Sequence, residues 1–175
     1  MSTFLTAEQE LLAEEIASLL TARGEHVAVA ECTAGGLVSA ALLWVPGASA
    51  YYRGGGVFYT RAARIALTGV DPAIYENYHG TTPEMLIALA EAMRTRLDTT
   101  WCIAETGAAG PPSDRVGAPA GRTTLAVVGP VTRTEVIETG VMDRGRNMVL
   151  FTTLALRFLR DAIRDAPAVS ASAAG

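Results

Sequence analysis

Three features predict an α/β fold, a three-layer α/β/α single domain with a mixed sheet. Short apolar runs alternate with helical patterns in the first part of the chain, which is typical of parallel strands joined by helices. Two later runs, at about 123–128 and 132–138, flank Gly129-Pro130 and predict an antiparallel hairpin. The length of 175 residues suits one packed domain. We assign it to residues 1–165 and expect a disordered tail over 166–175.

Capping signals and apolar spacing define the first elements. Thr6 to Gln9 forms a capping box, and the apolar spacing that follows predicts a helix over about 7–23. The apolar run after Gly24 predicts a strand over 26–30. A helical pattern then extends over 37–45 and stops at a Pro-Gly pair.

The middle of the chain predicts two helices and two strands. Gly54-Gly55-Gly56 leads into a strand predicted at 57–60, and a short helix follows over 61–68. Thr82-Pro83-Glu84 combines an N-cap, a first-turn proline and an acid, which predicts a helix start. A buried strand is predicted at 101–104.

A long loop and a final helix complete the chain. Glycine and proline crowd residues 105–122, which predicts a long loop, and long loops in compact domains tend to carry function. The last helix is predicted to begin at about Asp143, and its apolar spacing continues to Leu159.

Composition excludes several classes of function. The chain has 14 basic and 18 acidic residues, a net charge of −4, and no basic run, which argues against nucleic-acid binding. No apolar stretch is long enough to cross a membrane, and the N-terminus does not resemble a signal peptide. Two cysteines without a CxxC or His/Cys cluster predict no metal, no cofactor and no disulfide framework, so we expect a cytoplasmic protein.

The stretch from Glu31 to Gly36 carries the strongest local signal. It follows a predicted strand and precedes a predicted helix, so unpaired helix N–H groups are expected above the turn. A thiol at Cys32 is then expected to have a lowered pKa and to favour the thiolate. The alternative is that Cys32 is a small buried packing residue and the glycines only form a turn.

Several segments in one order resemble the CinA C-terminal domain family, whose best-described members are nicotinamide mononucleotide amidohydrolases. The first family signature, E-S-C-T-G-G, is similar to residues 31–36, and T-G-I-A-G-P is similar to residues 106–111. The matching segments are collinear and lie at 31–36, 46–49, 54–55, 59–64, 79–84, 106–111, 119–121 and 142–144.

The resemblance implies hydrolysis of the carboxamide of nicotinamide mononucleotide to nicotinate mononucleotide and ammonia. It implies a serine nucleophile where this chain has Cys32, a lysine where it has Arg64, and a tyrosine kept as Tyr59. The implied substrate-binding residues are Glu31, Thr33, Gly35, Gly36, Thr106, Gly107, Ala109 and Gly110. The implied partners are a small pyridine nucleotide and further copies of the chain in a homo-oligomer.

The two replacements leave two functions open. Arginine cannot serve as a base, but it can stabilise a thiolate, so Cys32 with Arg64 is a coherent nucleophile. Tyr59 is then the one candidate proton donor. The alternative is a catalytically silent nucleotide-binding or assembly protein with the same fold.

The remaining candidates are assigned lesser roles. We expect residues 106–110 to form a pocket wall whose backbone N–H groups face a phosphate or an oxyanion. Arg115 and Arg122 are candidate phosphate ligands. His79 is expected to be structural, and Asp143 with Arg144 to cap the last helix and pair locally.

Overall fold

A computed structural model describes residues 4–76, 78–111 and 119–167. The elements in chain order are α1 (Ala7–Arg23), β1 (Val27–Glu31), α2 (Leu37–Trp44), β2 (Tyr52–Val57), α3 (Arg61–Thr68), α4 (Pro83–Arg96), β3 (Trp101–Ala108), β4 (Arg122–Val128), β5 (Arg133–Glu138) and α5 (Arg144–Asp165). Single 3-10 turns lie at Ala48–Ala50 and Pro72–Tyr75. Within these ranges, no helix combines the length and apolar composition that crossing a bilayer requires.

The five strands form one mixed sheet in the order β2-β1-β3-β4-β5. β1 pairs in parallel with both β2 and β3, while β3, β4 and β5 form antiparallel pairs. This arrangement confirms the predicted mixed sheet. Since the parallel strands end at the same edge, the segments that leave β1, β2 and β3 lie close together there.

The two faces of the sheet are packed differently. Large side chains such as Val29, Trp101 and Ile103 face α1, α2 and α5. Small side chains such as Ala30 and Ala104 face α4. Small residues allow a helix to approach the sheet closely. The helix that packs against β1, β3 and β4 on this side is α4. The result is the predicted α/β/α arrangement.

The boundaries of β2 differ from the prediction. The strand was expected at 57–60, but it occupies Tyr52–Val57 and contains all three glycines. Gly55 lies so close to β1 that a Cβ there would stand 2.6 Å from the Val29 carbonyl oxygen. Pairing with β1 therefore outweighs the low strand propensity of glycine. The apolar residues after Val57 leave the sheet and lead to Thr60, the N-cap of α3.

The end of β3 also differs from the prediction. The loop was expected to begin at residue 105, but the strand continues to Ala108 because it pairs with β4. Gly107 lies directly opposite Thr123. The connection to β4 is therefore shorter than expected, and its part over 112–118 lies outside the described residues, as does most of the tail predicted at 166–175. The predicted hairpin and the helix starts at Thr82 and Asp143 are confirmed.

Candidate functional site

A cavity of about 800 Å³ opens at the edge where the parallel strands end. Its volume is in the range of small-molecule sites. Residues from the turn after β1, from α3, from the segment before α4, from the end of β3 and from the start of α5 line it. The lining includes Cys32, Thr33, Tyr59, Arg64, Tyr78, His79, Thr81, Thr106, Gly107, Ala109, Gly110, Arg122 and Arg144.

Cys32 and Arg64 form the buried end of this cavity. Only 2% of Cys32 and 4% of Arg64 is exposed. The Arg64 side chain, on α3, donates hydrogen bonds from Nε to the Phe58 carbonyl at 3.1 Å, from Nη1 to Thr81 Oγ1 at 2.8 Å and from Nη2 to Thr106 Oγ1 at 3.1 Å. These bonds fix the guanidinium beside the Cys32 thiol.

The thiol is not activated as the sequence predicts. Burial raises the pKa of Cys32 to about 11, and the favourable charge of Arg64 only partly offsets this effect. The prediction of a lowered pKa is therefore wrong. The loss of solvent around the thiolate raises the pKa of Cys32 more than the charge of Arg64 lowers it.

The N-terminus of α2 does not face the thiol either. The backbone N–H groups of Val38 and Ser39 donate to the Glu31 carboxylate at 3.1 and 3.0 Å. Ser39 Oγ donates to the same carboxylate at 2.6 Å. The N–H groups at the start of the helix therefore bind the Glu31 carboxyl group rather than the Cys32 thiol.

Three residues predicted to bind substrate lie away from the cavity lining. Glu31 is fully buried behind the turn, on the side of α2. Gly35 and Gly36 have φ angles of +70° and +100° and form the turn itself. At Gly35 a Cβ would stand 2.9 Å from the Met148 methyl group, so α5 packs directly on this turn. The turn conformation and the close packing of α5 therefore account for both glycines, and no ligand is needed to explain them.

Glu105 supports the Cys32 turn through hydrogen bonds with its backbone, and the sequence analysis did not identify this residue. Its Oε2 accepts backbone N–H groups from Cys32, Thr33 and Ala34 at 3.3, 2.9 and 2.8 Å. Burial raises the pKa of Glu105 to about 7, despite these bonds. The signal was present in the sequence: Glu105 is the one charged residue in the otherwise uncharged strand Trp101–Ala108.

The 106–110 segment forms one wall of the cavity, as the resemblance implies. The Gly107 N–H, however, donates to Thr33 Oγ1 at 2.8 Å, and the Thr33 hydroxyl donates to the Gly107 carbonyl at 2.8 Å. Asn147 donates to the Ala109 carbonyl at 2.8 Å. The expectation that N–H groups of this wall face a ligand is therefore wrong for Gly107, whose N–H has an internal acceptor.

The outer part of the cavity carries two exposed arginines. Arg144 donates from Nη1 to the Gly110 carbonyl at 2.8 Å and from Nη2 to the Tyr59 hydroxyl at 3.2 Å. Asp143 caps α5 as predicted, but Arg144 reaches across to the cavity instead of pairing locally. Arg122 lines the same region, 3.9 Å from Glu138.

Two other predicted residues complete this part of the site. Tyr59 is more than half exposed and stands at the rim, and exposed His79 also lines the cavity. Arg115 lies outside the described residues. Among the residues that the structure describes, no cluster of three or more His, Cys, Asp or Glu side chains is arranged to hold a metal ion.

Comparison with known sequences gives one consistent result. A sequence profile described as the CinA C-terminal domain matches residues 9–163. A CinA-like protein of Gloeobacter violaceus is 36% identical over 157 residues, which cover 88% of this chain and 37% of that protein. A CinA-like protein of Prochlorococcus marinus is 39% identical over 124 residues, covering 71% and 29%. The chain thus spans about a third of the length of the curated relatives it matches.

Comparison with solved structures identifies the same group of proteins. The competence/damage inducible protein CihA from Agrobacterium tumefaciens has a TM-score of 0.86 at 26% identity, covering 94% of this chain and 100% of that one. A competence-damaged protein (CinA) superfamily protein from Escherichia coli has a TM-score of 0.81 at 25% identity, covering 91% and 92%. These structures share the fold of this chain over nearly its whole length.

Proposed function

The chain belongs to the CinA C-terminal domain family, and on this premise we propose that its cavity binds a pyridine mononucleotide without hydrolysing its carboxamide. The observation that carries this proposal is the state of the two residues at the buried end. The resemblance of residues 31–36 and 59–64 to the family signatures implies that Arg64 stands where the family has a lysine and that Cys32 stands where it has a serine. Neither residue can act as the base that the serine–lysine reaction requires.

Binding is supported by the size and polarity of the cavity. A volume of about 800 Å³ is sufficient for a mononucleotide. Arg122 and Arg144 line the exposed part, where arginine can hold a phosphate through two parallel hydrogen bonds. Tyr78 and Met85 supply apolar surface on the same cavity for a pyridine ring. This distribution fits a ligand with a phosphate outside and a ring inside.

The protonation states argue against efficient hydrolysis. With a pKa of about 11, roughly one Cys32 thiol in ten thousand is ionised at pH 7. The Arg64 guanidinium keeps its proton at any ordinary pH and cannot accept the thiol proton. Tyr59 is exposed at the rim, and its hydroxyl is hydrogen-bonded to Arg144 rather than to Cys32. The side-chain hydrogen bonds of the Cys32 thiol are with Thr106 and Arg64, and neither of these groups is a base.

A thiol-dependent amidase is the second candidate, because the Arg64 charge acts directly on Cys32 and favours its anion. In that reaction the thiolate attacks the carboxamide carbon, the C–N bond breaks, and the nitrogen leaves as ammonia after taking up protons. Water then cleaves the thioester to give nicotinate mononucleotide and the free thiol. This mechanism requires substrate binding to lower the thiol pKa from its raised value.

Ammonia release and thermal stability, measured with nicotinamide mononucleotide, test the proposal. We expect the nucleotide to raise the Tm of the native protein, because a ligand of the folded state stabilises it, and we expect no ammonia above the blank. The double variant Cys32→Ser/Arg64→Lys restores the family pair and should release ammonia, whereas each single change should do little.

The outcomes separate the alternatives. Cys102→Ser is the matched control, since Cys102 lies in β3 outside the cavity lining. Ammonia release by the native protein that disappears in Cys32→Ala would support the thiol mechanism and overturn the silent one. No Tm shift and no ammonia release in any variant would exclude a pyridine mononucleotide as the ligand.

A further inference from the structure

Arg64 is a buried cation whose hydrogen bonds go to neutral partners. Its three hydrogen bonds go to a backbone carbonyl and to the hydroxyls of Thr81 and Thr106, all of which are neutral. Among the residues that the structure describes, no carboxylate forms an ion pair with it. A buried charge is costly unless it is paired, and a guanidinium cannot lose its proton to avoid the cost.

The side chains nearest to the guanidinium do not supply the missing charge. The Cys32 thiol holds its proton at neutral pH, since burial raises its pKa to about 11. Tyr75 and Tyr78 contribute phenols near Arg64, and burial raises the pKa of Tyr75. Three of the five guanidinium N–H donors are used in the bonds to Phe58, Thr81 and Thr106. Two donors remain for these neutral groups or for a ligand.

Buried carboxylates exist nearby, but they belong to the other side of the sheet. Glu105 follows Ala104 on β3, and side chains alternate between the faces along a strand. Ala104 packs on the side of α4, where Cys32 lies, so Glu105 points toward α2 and α5. Its Oε2 is occupied by the three N–H groups of the Cys32 turn. Glu31 caps α2 in the same way.

We propose that the counter-ion of Arg64 is a carboxylate of the ligand, so that the cavity prefers an acid such as nicotinate mononucleotide over the corresponding amide. This inference rests on the proposed nucleotide binding and specifies which ligand is bound. A carboxylate on the inner end of the ligand would accept two hydrogen bonds from the guanidinium and neutralise its charge. A neutral carboxamide leaves the charge unpaired.

The replacement of lysine by arginine gives this preference a chemical reason. A buried lysine can lose its proton and then stand beside a neutral amide without an unpaired charge. Arginine stays charged and presents a planar set of donors that matches a carboxylate. With Arg122 and Arg144 at the exposed end for the phosphate, the cavity has cations at both its buried and its exposed part.

Isothermal titration of the native protein with nicotinate mononucleotide and with nicotinamide mononucleotide tests the inference. We expect the acid to bind at least tenfold more tightly than the amide. In Arg64→Met, with its fold checked by circular dichroism, the ratio of the two Kd values should fall to near one. The control Arg94→Ala removes an arginine of a surface ion pair outside the cavity lining and should leave both Kd values unchanged.

The possible results are distinct. Equal affinities in the native protein, or tighter binding of the amide, would overturn the acid preference and leave the proposed nucleotide binding intact. Binding of neither nucleotide would overturn both proposals. A tenfold preference that survives in Arg64→Met would also overturn the inference, because the selectivity would then come from another residue.

Discussion

Near the carboxyl ends of β1 and β3, buried ionisable side chains lie on both faces of the sheet, and the two faces surround them differently. Toward α2 and α5, the carboxylates of Glu31 and Glu105 accept backbone N–H groups from the turn and the helix beside them. Toward α4, the hydrogen bonds of Arg64 go to neutral acceptors within the part of the chain that the structure describes, and its side chain lines an open cavity. On the first face Glu105 Oε2 and the Glu31 carboxylate have internal donors, while Glu105 Oε1 has no hydrogen-bond partner among the described residues. On the second face, our proposal assigns the missing counter-ion of Arg64 to a ligand.

This difference separates residues that support the turn from residues that line the cavity. The signature at 31–36 contains both kinds, one beside the other in sequence. Glu31 and the two glycines support the turn and the start of α2, while Cys32 and Thr33 line the cavity. A motif match alone does not distinguish them, because it needs the structural context of each residue to be interpreted.

The largest effect on stability is expected from a substitution on the face toward α2 and α5. Replacing Glu105 with Ala leaves three buried N–H groups without an acceptor, and each costs about 1–3 kcal/mol. We expect the free energy of unfolding, measured by urea denaturation, to fall by about 3 kcal/mol or more. Glu91→Ala, which removes an exposed ion pair with Arg94, should change it by less than about 0.5 kcal/mol. Similar losses in both variants would contradict the supporting role of Glu105.

A pH dependence follows from the same residue. The pKa of Glu105 is about 7 in the folded protein and near 4.5 for an ordinary glutamate, so the folded state holds its proton more tightly. Its contribution to stability is complete below about pH 4.5 and is lost as the pH rises through about 7. Glu105→Gln removes this titration. We therefore expect the native protein to lose more stability than Glu105→Gln between pH 5 and pH 8 in urea denaturation. Equal losses would show that Glu105 does not titrate in this interval.

The last prediction concerns the reactivity of the two thiols, both of which are buried. Iodoacetamide should modify Cys32 slowly at pH 7 and roughly a hundredfold faster at pH 9, since each pH unit below the thiol pKa changes the thiolate population tenfold. Cys102, fully buried in β3, should react more slowly still. Arg64→Met should slow Cys32 further by removing the favourable charge. Mass spectrometry of the alkylated peptides measures these rates, and rapid labelling of Cys32 at pH 7 would instead indicate an activated thiolate.

The sequence by itself determined the elements whose causes are local. The capping box at Thr6, the Thr-Pro-Glu start of α4 and the Asp143 cap of α5 each depend on residues within one helical turn. The hairpin of β4 and β5 follows from two strand patterns around Gly129-Pro130. The mixed sheet could be predicted because alternation and hairpin signals together limit the topology.

Only the tertiary structure decided the boundaries of β2 and β3 and the state of the site. The glycines of β2 are in a strand because β1 pairs with them, and β3 continues because β4 pairs with it. The pKa of Cys32 is raised because distant elements bury it, which no spacing within residues 31–36 reveals. The lack of an ion pair between Arg64 and a carboxylate among the described residues is likewise a property of many elements together. Local periodicity reports which face of an element is buried, but not which charges from distant segments share that burial.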